Sequence, residues 1–198
     1  MTDEPVPVAP PRVVSLYNPA NILTAVRIVL VPVFLALVVV SDMTSVAWRI
    51  AACLVFCVAS ATDFVDGWIA RRFHLVTSFG KVADPIADKA LTGTALVLLS
   101  AYDLVPWWVT GLILVREWGV TGLRFWVIRY GIIPASRGGK LKTVLQIAAI
   151  AWYLWPVPSP FDEVGPVLML AALLITVVTG VDYVLQALRL RRGAPTGG

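Results

Sequence analysis

Charge is scarce in this chain. Asp, Glu, Lys and Arg make up 14% of its 198 residues, hydrophobic residues make up 59%, and the mean hydropathy is +0.83. So little polar content excludes an ordinary water-soluble domain and indicates a polytopic membrane protein. A long solvated basic tract is also missing. The arginines border hydrophobic runs instead, so the net charge of +4 does not imply a nucleic-acid partner. Cysteine is nearly absent: Cys53 and Cys57 are the only two, four apart in one apolar segment. That spacing reads as small helix-packing thiols rather than a disulfide or a metal site. The opening stretch MTDEPVPVAPPRVV lacks the basic n-region of a signal peptide and reads as a disordered or surface-lying lead-in. Neither an internal repeat nor the broken-helix pattern of a secondary transporter is visible, which argues against an ion-transport function.

What the chain does contain is a series of long apolar segments. Its length suits one domain over residues 1–198, with 1–17 as the lead-in and 190–198 as a flexible basic tail. The expected fold is all-α, with about six transmembrane helices of roughly 20 residues each around a cytosol-facing polar cavity. The spans are predicted near 21–40, 46–73, 79–102, 107–130, 141–155 and 167–189. Asn18-Pro19 supplies a helix start, and Pro32 is expected to kink the first span. GIIPASRGGK and PVPSPFDEVGP read as loops. Basic flanking residues, among them Arg12, Arg71, Arg72, Lys81, Arg129 and Arg189, collect on one side of such a bundle. Arg49 falls on the other with Asp42, Asp103, Asp162 and Glu163. By the positive-inside rule both termini and the connection between spans two and three are cytoplasmic. Trp107, Trp108, Trp152 and Trp155 lie near predicted span ends, as an interfacial belt requires.

The charges that do occur are concentrated. Thr62 to Ala90, TDFVDGWIARRFHLVTSFGKVADPIADKA, carries Asp63, Asp66, Asp84 and Asp88 inside apolar sequence. Ionisable groups in a span are costly and signal function. At 100° per residue Asp63 and Asp66 lie within about 60° on one helix face, and Asp84 and Asp88 within about 40° on the next. Two antiparallel helices can turn both faces inward, with Gly67, Ala70 and Gly80 leaving room between backbones. Four carboxylates of one sign need compensation, and two divalent cations would balance them. An oxygen-only ligand set suits Mg²⁺ or Mn²⁺. The bland reading is a set of interfacial helix caps or an ion pathway.

A second cluster is basic. Arg116 and Arg124 share a face within about 80°, Arg137 lies in the loop that follows, and Lys140 and Lys142 open the fifth span. A basic cluster beside a carboxylate site suits an acceptor that carries its own phosphate. Positive-inside bias alone is the competing account of Arg137, Lys140 and Lys142. For Arg116 it is an ion pair with Glu117 or Asp182. Lys89, next to Asp88, either offsets local negative charge or snorkels outward.

The string Asp63-x2-Asp66-Gly67-x2-Ala70-Arg71-x8-Gly80-x3-Asp84-x3-Asp88 resembles the complete signature of the CDP-alcohol phosphotransferase family. The resemblance implies integral-membrane enzymes with six transmembrane helices, commonly homodimers, that transfer a phosphatidyl group from a CDP-linked lipid to an alcohol and release CMP. It further implies that Asp63, Asp66 and Asp84 bind metal, and that Asp88 is a second-metal ligand and the general base. Asp66, Gly67, Ala70, Arg71 and Gly80 take the positions that accommodate the CDP moiety. Asn21-x-Leu23-Thr24-x2-Arg27 with Pro32, and Arg116-Glu117 with Arg124, Gly139-Lys140-x-Lys142-Thr143 and Gln146, resemble the branch of phosphatidylglycerophosphate synthases. That branch implies CDP-diacylglycerol and sn-glycerol 3-phosphate as substrates in the plasma membrane. Arg116, Arg124, Lys140 and Lys142 are the expected acceptor-phosphate residues. Arg27 is a further phosphate candidate, and Thr143 and Gln146 are possible hydrogen-bond donors. Sister enzymes that use inositol phosphate or phosphatidylglycerol as acceptor are the alternatives.

Overall fold

The computed structural model describes residues 19–72, 78–127 and 137–193. These form six helices: α1 (Pro19–Ser41), α2 (Val46–Arg72), α3 (Ser78–Ala101), α4 (Trp107–Val127), α5 (Arg137–Leu154) and α6 (Val164–Gly193), with a 3-10 turn at Phe161–Glu163 before α6. No strand occurs among the described residues. Helix α1 packs chiefly on α2 and also on α3, α5 packs chiefly on α6, and α4 lies against α6 and α3.

The core is built where small and large side chains alternate across facing helices. Ala52, Ala59, Ala95 and Ala149 are fully buried and let backbones approach closely. Phe34 and Phe56 fill the space between α1 and α2, with ring centroids 5.7 Å apart and planes tilted by 45°. Helix α3 is the most enclosed: Leu91, Ala95, Leu96 and Leu99 all lie in the core. The outer faces are apolar instead of polar. Val29, Val40, Val115, Val167 and Val178 are each at least 60% exposed, an arrangement suited to lipid and not to water.

Three stretches are long and apolar enough by themselves to cross a membrane: Asn21–Ser41, Val46–Gly67 and Phe161–Leu190. Six spans were expected. Helices α3, α4 and α5 fall short because each carries several charged residues, of which Asp84, Asp88, Lys89, Arg116, Glu117 and Lys142 face an internal cavity. Two loop boundaries also differ from expectation. Helix α5 begins at Arg137, inside the predicted GIIPASRGGK loop, and α6 begins at Val164, inside the predicted PVPSPFDEVGP loop. Gly138-Gly139 disfavours helix by about 1 kcal/mol per glycine. Helix α5 nevertheless packs on α6, α2 and α3, and tertiary packing outweighs propensity. Helix α1 runs unbroken through Pro32.

The ends of the bundle opposite the aspartates are closed by polar caps. Ser41 Oγ donates to Val38 O (2.7 Å) and accepts from the Met43 amide (3.1 Å). Arg49 of α2 donates to the carbonyls of Tyr153, Leu154 and Trp155 at 3.0–3.2 Å, satisfying oxygens that the end of α5 leaves unpaired. Cys53 and Cys57 are free thiols, and Cys53 packs its Sγ 3.5 Å from Ala151 O.

Candidate active site

A cavity of about 630 Å³ opens among α2, α3, α4, α5 and α6. Asp63, Asp66 and Gly67 reach it from α2, and Asp84 and Asp88 from α3. The two pairs therefore share one space, as helical spacing requires when the polar faces of two helices turn toward one another. Lys89, Arg116, Glu117, Lys140, Lys142 and Thr143 line the same cavity, so Arg116, Lys140 and Lys142 of the basic cluster share one space with the four aspartates.

Helix α1 holds the acidic part from behind. Arg27 is completely buried; its Nη1 donates to Asp63 Oδ1 at 2.7 Å and its Nη2 to Asp66 Oδ2 at 2.5 Å. Thr24 Oγ1 donates to Asp84 Oδ1 at 2.5 Å. Arg27 was a phosphate candidate from the sequence. The structure instead commits both its terminal nitrogens to carboxylates, because a buried guanidinium must be paired, and the buried Asp66 and half-buried Asp63 supply the charge. Asp88 lines the cavity without an ion-pair partner among the described residues.

The oxygen-rich donor set fits hard divalent cations in kind. With the side chains as they stand, no three His, Cys, Asp or Glu among the described residues close on a single point. The carboxylates line a cavity, with Arg27 supplying positive charge to two of them.

Glu117 of α4 is the centre of the basic part. It accepts from Lys142 Nζ, lies 3.2 Å from Arg116 Nη1 and 4.0 Å from Lys89 Nζ, and none of these side chains is more than 14% exposed. Arg116 also reaches α6: its Nε donates to Thr176 O (3.2 Å), its Nη2 to Thr179 Oγ1 (2.8 Å), and its guanidinium lies 6.0 Å from the Tyr183 ring centroid. Gly180 makes room for it, since a Cβ there would lie 3.0 Å from Arg116 Cγ. Of the two partners expected for Arg116, Glu117 is the one found; Asp182 instead accepts from Gln186 (2.7 Å). Lys89 points inward and does not snorkel. Lys140 is exposed at the cavity rim. Thr143 Oγ1 donates to Gly139 O (3.1 Å), and Gln146 is buried with its Oε1 lacking a partner among the described residues. The side chains of Ala70, Arg71, Gly80, Arg124 and Arg137 lie outside the described residues.

Sequence reasoning missed Glu117 as the shared partner of three cations, and Thr24 as the partner of Asp84. A lone acid among basic residues near a span was the signal for the first. Nothing in the sequence signals the second, which depends on how α1 packs against α3.

The described residues, all-helical with apolar outer faces around an internal cavity that carries both acidic and basic side chains, define a helical membrane protein with a charged interior. The chain belongs to the CDP-alcohol phosphatidyltransferase family, which it matches over residues 17–178. It is 52% identical over 172 residues to the probable phosphatidylglycerophosphate synthase of Mycobacterium tuberculosis, covering 87% of this chain and 82% of that one. It is 38% identical to the CDP-diacylglycerol–glycerol-3-phosphate 3-phosphatidyltransferase of Bacillus subtilis (85% and 94% covered). Identity to the enzyme of the same name from Shigella flexneri is 36% (86% and 95% covered).

Proposed function

We propose that this chain is a CDP-diacylglycerol–glycerol-3-phosphate 3-phosphatidyltransferase acting in phospholipid biosynthesis. The observation that carries the reading is the shared cavity in which Asp63, Asp66, Asp84 and Asp88 meet Arg116, Lys140 and Lys142. Carboxylates suit the diphosphate-and-cation half of such a reaction, and the basic residues suit an acceptor that already bears a phosphate. The names of the relatives point to the same pair of substrates.

Asp63, Asp66, Asp84 and Asp88 would hold divalent cations, Mg²⁺ or Mn²⁺. When bound, such ions offset negative charge on attacking and leaving oxygens. The chain's own residues do the rest. Arg116, Lys140 and Lys142, with Arg124, bind the glycerol 3-phosphate phosphate and so set its hydroxyl toward the lipid-linked phosphorus. Asp88, without an ion-pair partner among the described residues, accepts the proton of that hydroxyl. The new phosphorus–oxygen bond replaces the bond to CMP, which leaves. Asp66, Gly67, Ala70, Arg71 and Gly80 cradle the CDP moiety.

The whole chain, residues 1–198, is one membrane domain of six spans in the plasma membrane, with both termini and the cavity cytoplasmic. Inward placement of Arg116, Glu117 and Lys142 lets α4 and α5 cross alongside the apolar helices, because their charges meet one another and not lipid. A homodimer is part of the proposal. The test is CMP release from CDP-diacylglycerol by the purified protein with glycerol 3-phosphate, inositol phosphate or phosphatidylglycerol, each with and without Mn²⁺. Metal-dependent release with glycerol 3-phosphate alone is the expected result. Release with another acceptor in its place would assign the chain to a sister enzyme.

A further inference from the structure

Among the described residues, helix α1 contributes none to the cavity lining, yet it touches three of the four aspartates. Thr24 and Arg27 lie three apart, hence on one face of α1, and both are buried to within 1%. Arg27 bridges Asp63 and Asp66 with its two terminal nitrogens, and Thr24 donates to Asp84. Each contact engages one carboxylate oxygen, and all three aspartates still line the cavity. The Arg27 Nε, also buried, has no hydrogen-bond partner among the described residues, so the position of the guanidinium is dictated by the two acids it bridges.

We propose that the polar face of α1 is the outer shell of the cation site: Thr24 and Arg27 fix the orientation of Asp84, Asp63 and Asp66 from behind and thereby set the affinity of the site for a divalent ion. This inference rests on the divalent-cation reading above. Outer-shell hydrogen bonds restrict the rotamers of ligating groups, and their loss typically lowers metal affinity 10–100-fold. A planar fork is needed to reach two carboxylates at once, which the point charge of a lysine cannot do. Both are positioning residues, since neither reaches the cavity.

The experiment is Mn²⁺ binding to the full-length protein in lipid nanodiscs, with free Mn²⁺ followed by electron paramagnetic resonance. Circular dichroism and melting without metal report folding. Thr24→Val keeps shape and charge but removes the donor to Asp84, and should raise the Mn²⁺ Kd about tenfold. Thr24→Ser should restore it. Arg27→Lys, which keeps the charge and loses the fork, should raise the Kd by at least as much. A folded Thr24→Val protein that binds Mn²⁺ like the parent overturns the proposal, as does a loss that serine does not recover. Failure of the parent protein to bind Mn²⁺ saturably would remove the divalent-cation reading itself, which distinguishes the two failures.

Discussion

Glu117→Gln is the substitution with the most direct consequence. Glu117 is the anion shared by Lys142, Arg116 and Lys89, all within 4.0 Å and at most 14% exposed. A unit charge pair about 4 Å apart interacts by roughly 4 kcal/mol at the effective dielectric of such sites. Removing one partner of a buried pair generally costs about 3–5 kcal/mol. Glutamine keeps an oxygen that can accept from Lys142 and Arg116, so the low end applies, about 3 kcal/mol. For a protein of this size that corresponds to a fall in melting temperature of roughly 6–12 °C. The assay is thermal unfolding in detergent followed by tryptophan fluorescence, with and without glycerol 3-phosphate or inorganic phosphate. An added phosphate supplies the negative charge that the substitution takes away, so either ligand should raise the melting temperature of Glu117→Gln more than that of the parent. A variant that melts within a degree of the parent, or gains no more from phosphate, would refute both the charge balance and the placement of phosphate beside these cations.

Asp88→Asn should nearly abolish CMP release while the protein remains folded in the membrane, as read by activity and circular dichroism; near-normal turnover would remove the proton-acceptor role. Lys140→Ala should raise the KM for glycerol 3-phosphate several-fold more than that for CDP-diacylglycerol, because Lys140 is exposed at the rim and can meet the soluble substrate. Equal effects on both would place it elsewhere. Arg49→Met removes donors from three carbonyls at the end of α5 and should lower stability by about 2–3 kcal/mol at roughly 1 kcal/mol per bond. Both KM values should stay unchanged, since fourteen helical residues, about 21 Å, separate it from Asp63 along α2.

The sequence by itself determined the helical membrane architecture, the helix order, and the four aspartates and Arg116, Lys140 and Lys142 that line the cavity. Hydropathy and the 3.6-residue period act locally, so Asp63 with Asp66, and Asp84 with Asp88, could be assigned to shared faces without any knowledge of packing. Element ends followed the same logic less well. Propensity placed Arg137 and Gly138 in a loop, and in the fold they begin α5, which packs on α6, α2 and α3. Only the tertiary structure decided which residue answers which. Arg27 lies 36 residues before Asp63, Thr24 lies 60 before Asp84, and Lys142 lies 25 after Glu117. No periodicity links residues so far apart, and a buried charge takes whichever opposite charge the packing presents. For that reason Arg27 looked like a phosphate ligand in the sequence and is, in the fold, the counterion of two aspartates. Glu117, a bystander beside Arg116 in the sequence, is the anion around which three cations gather.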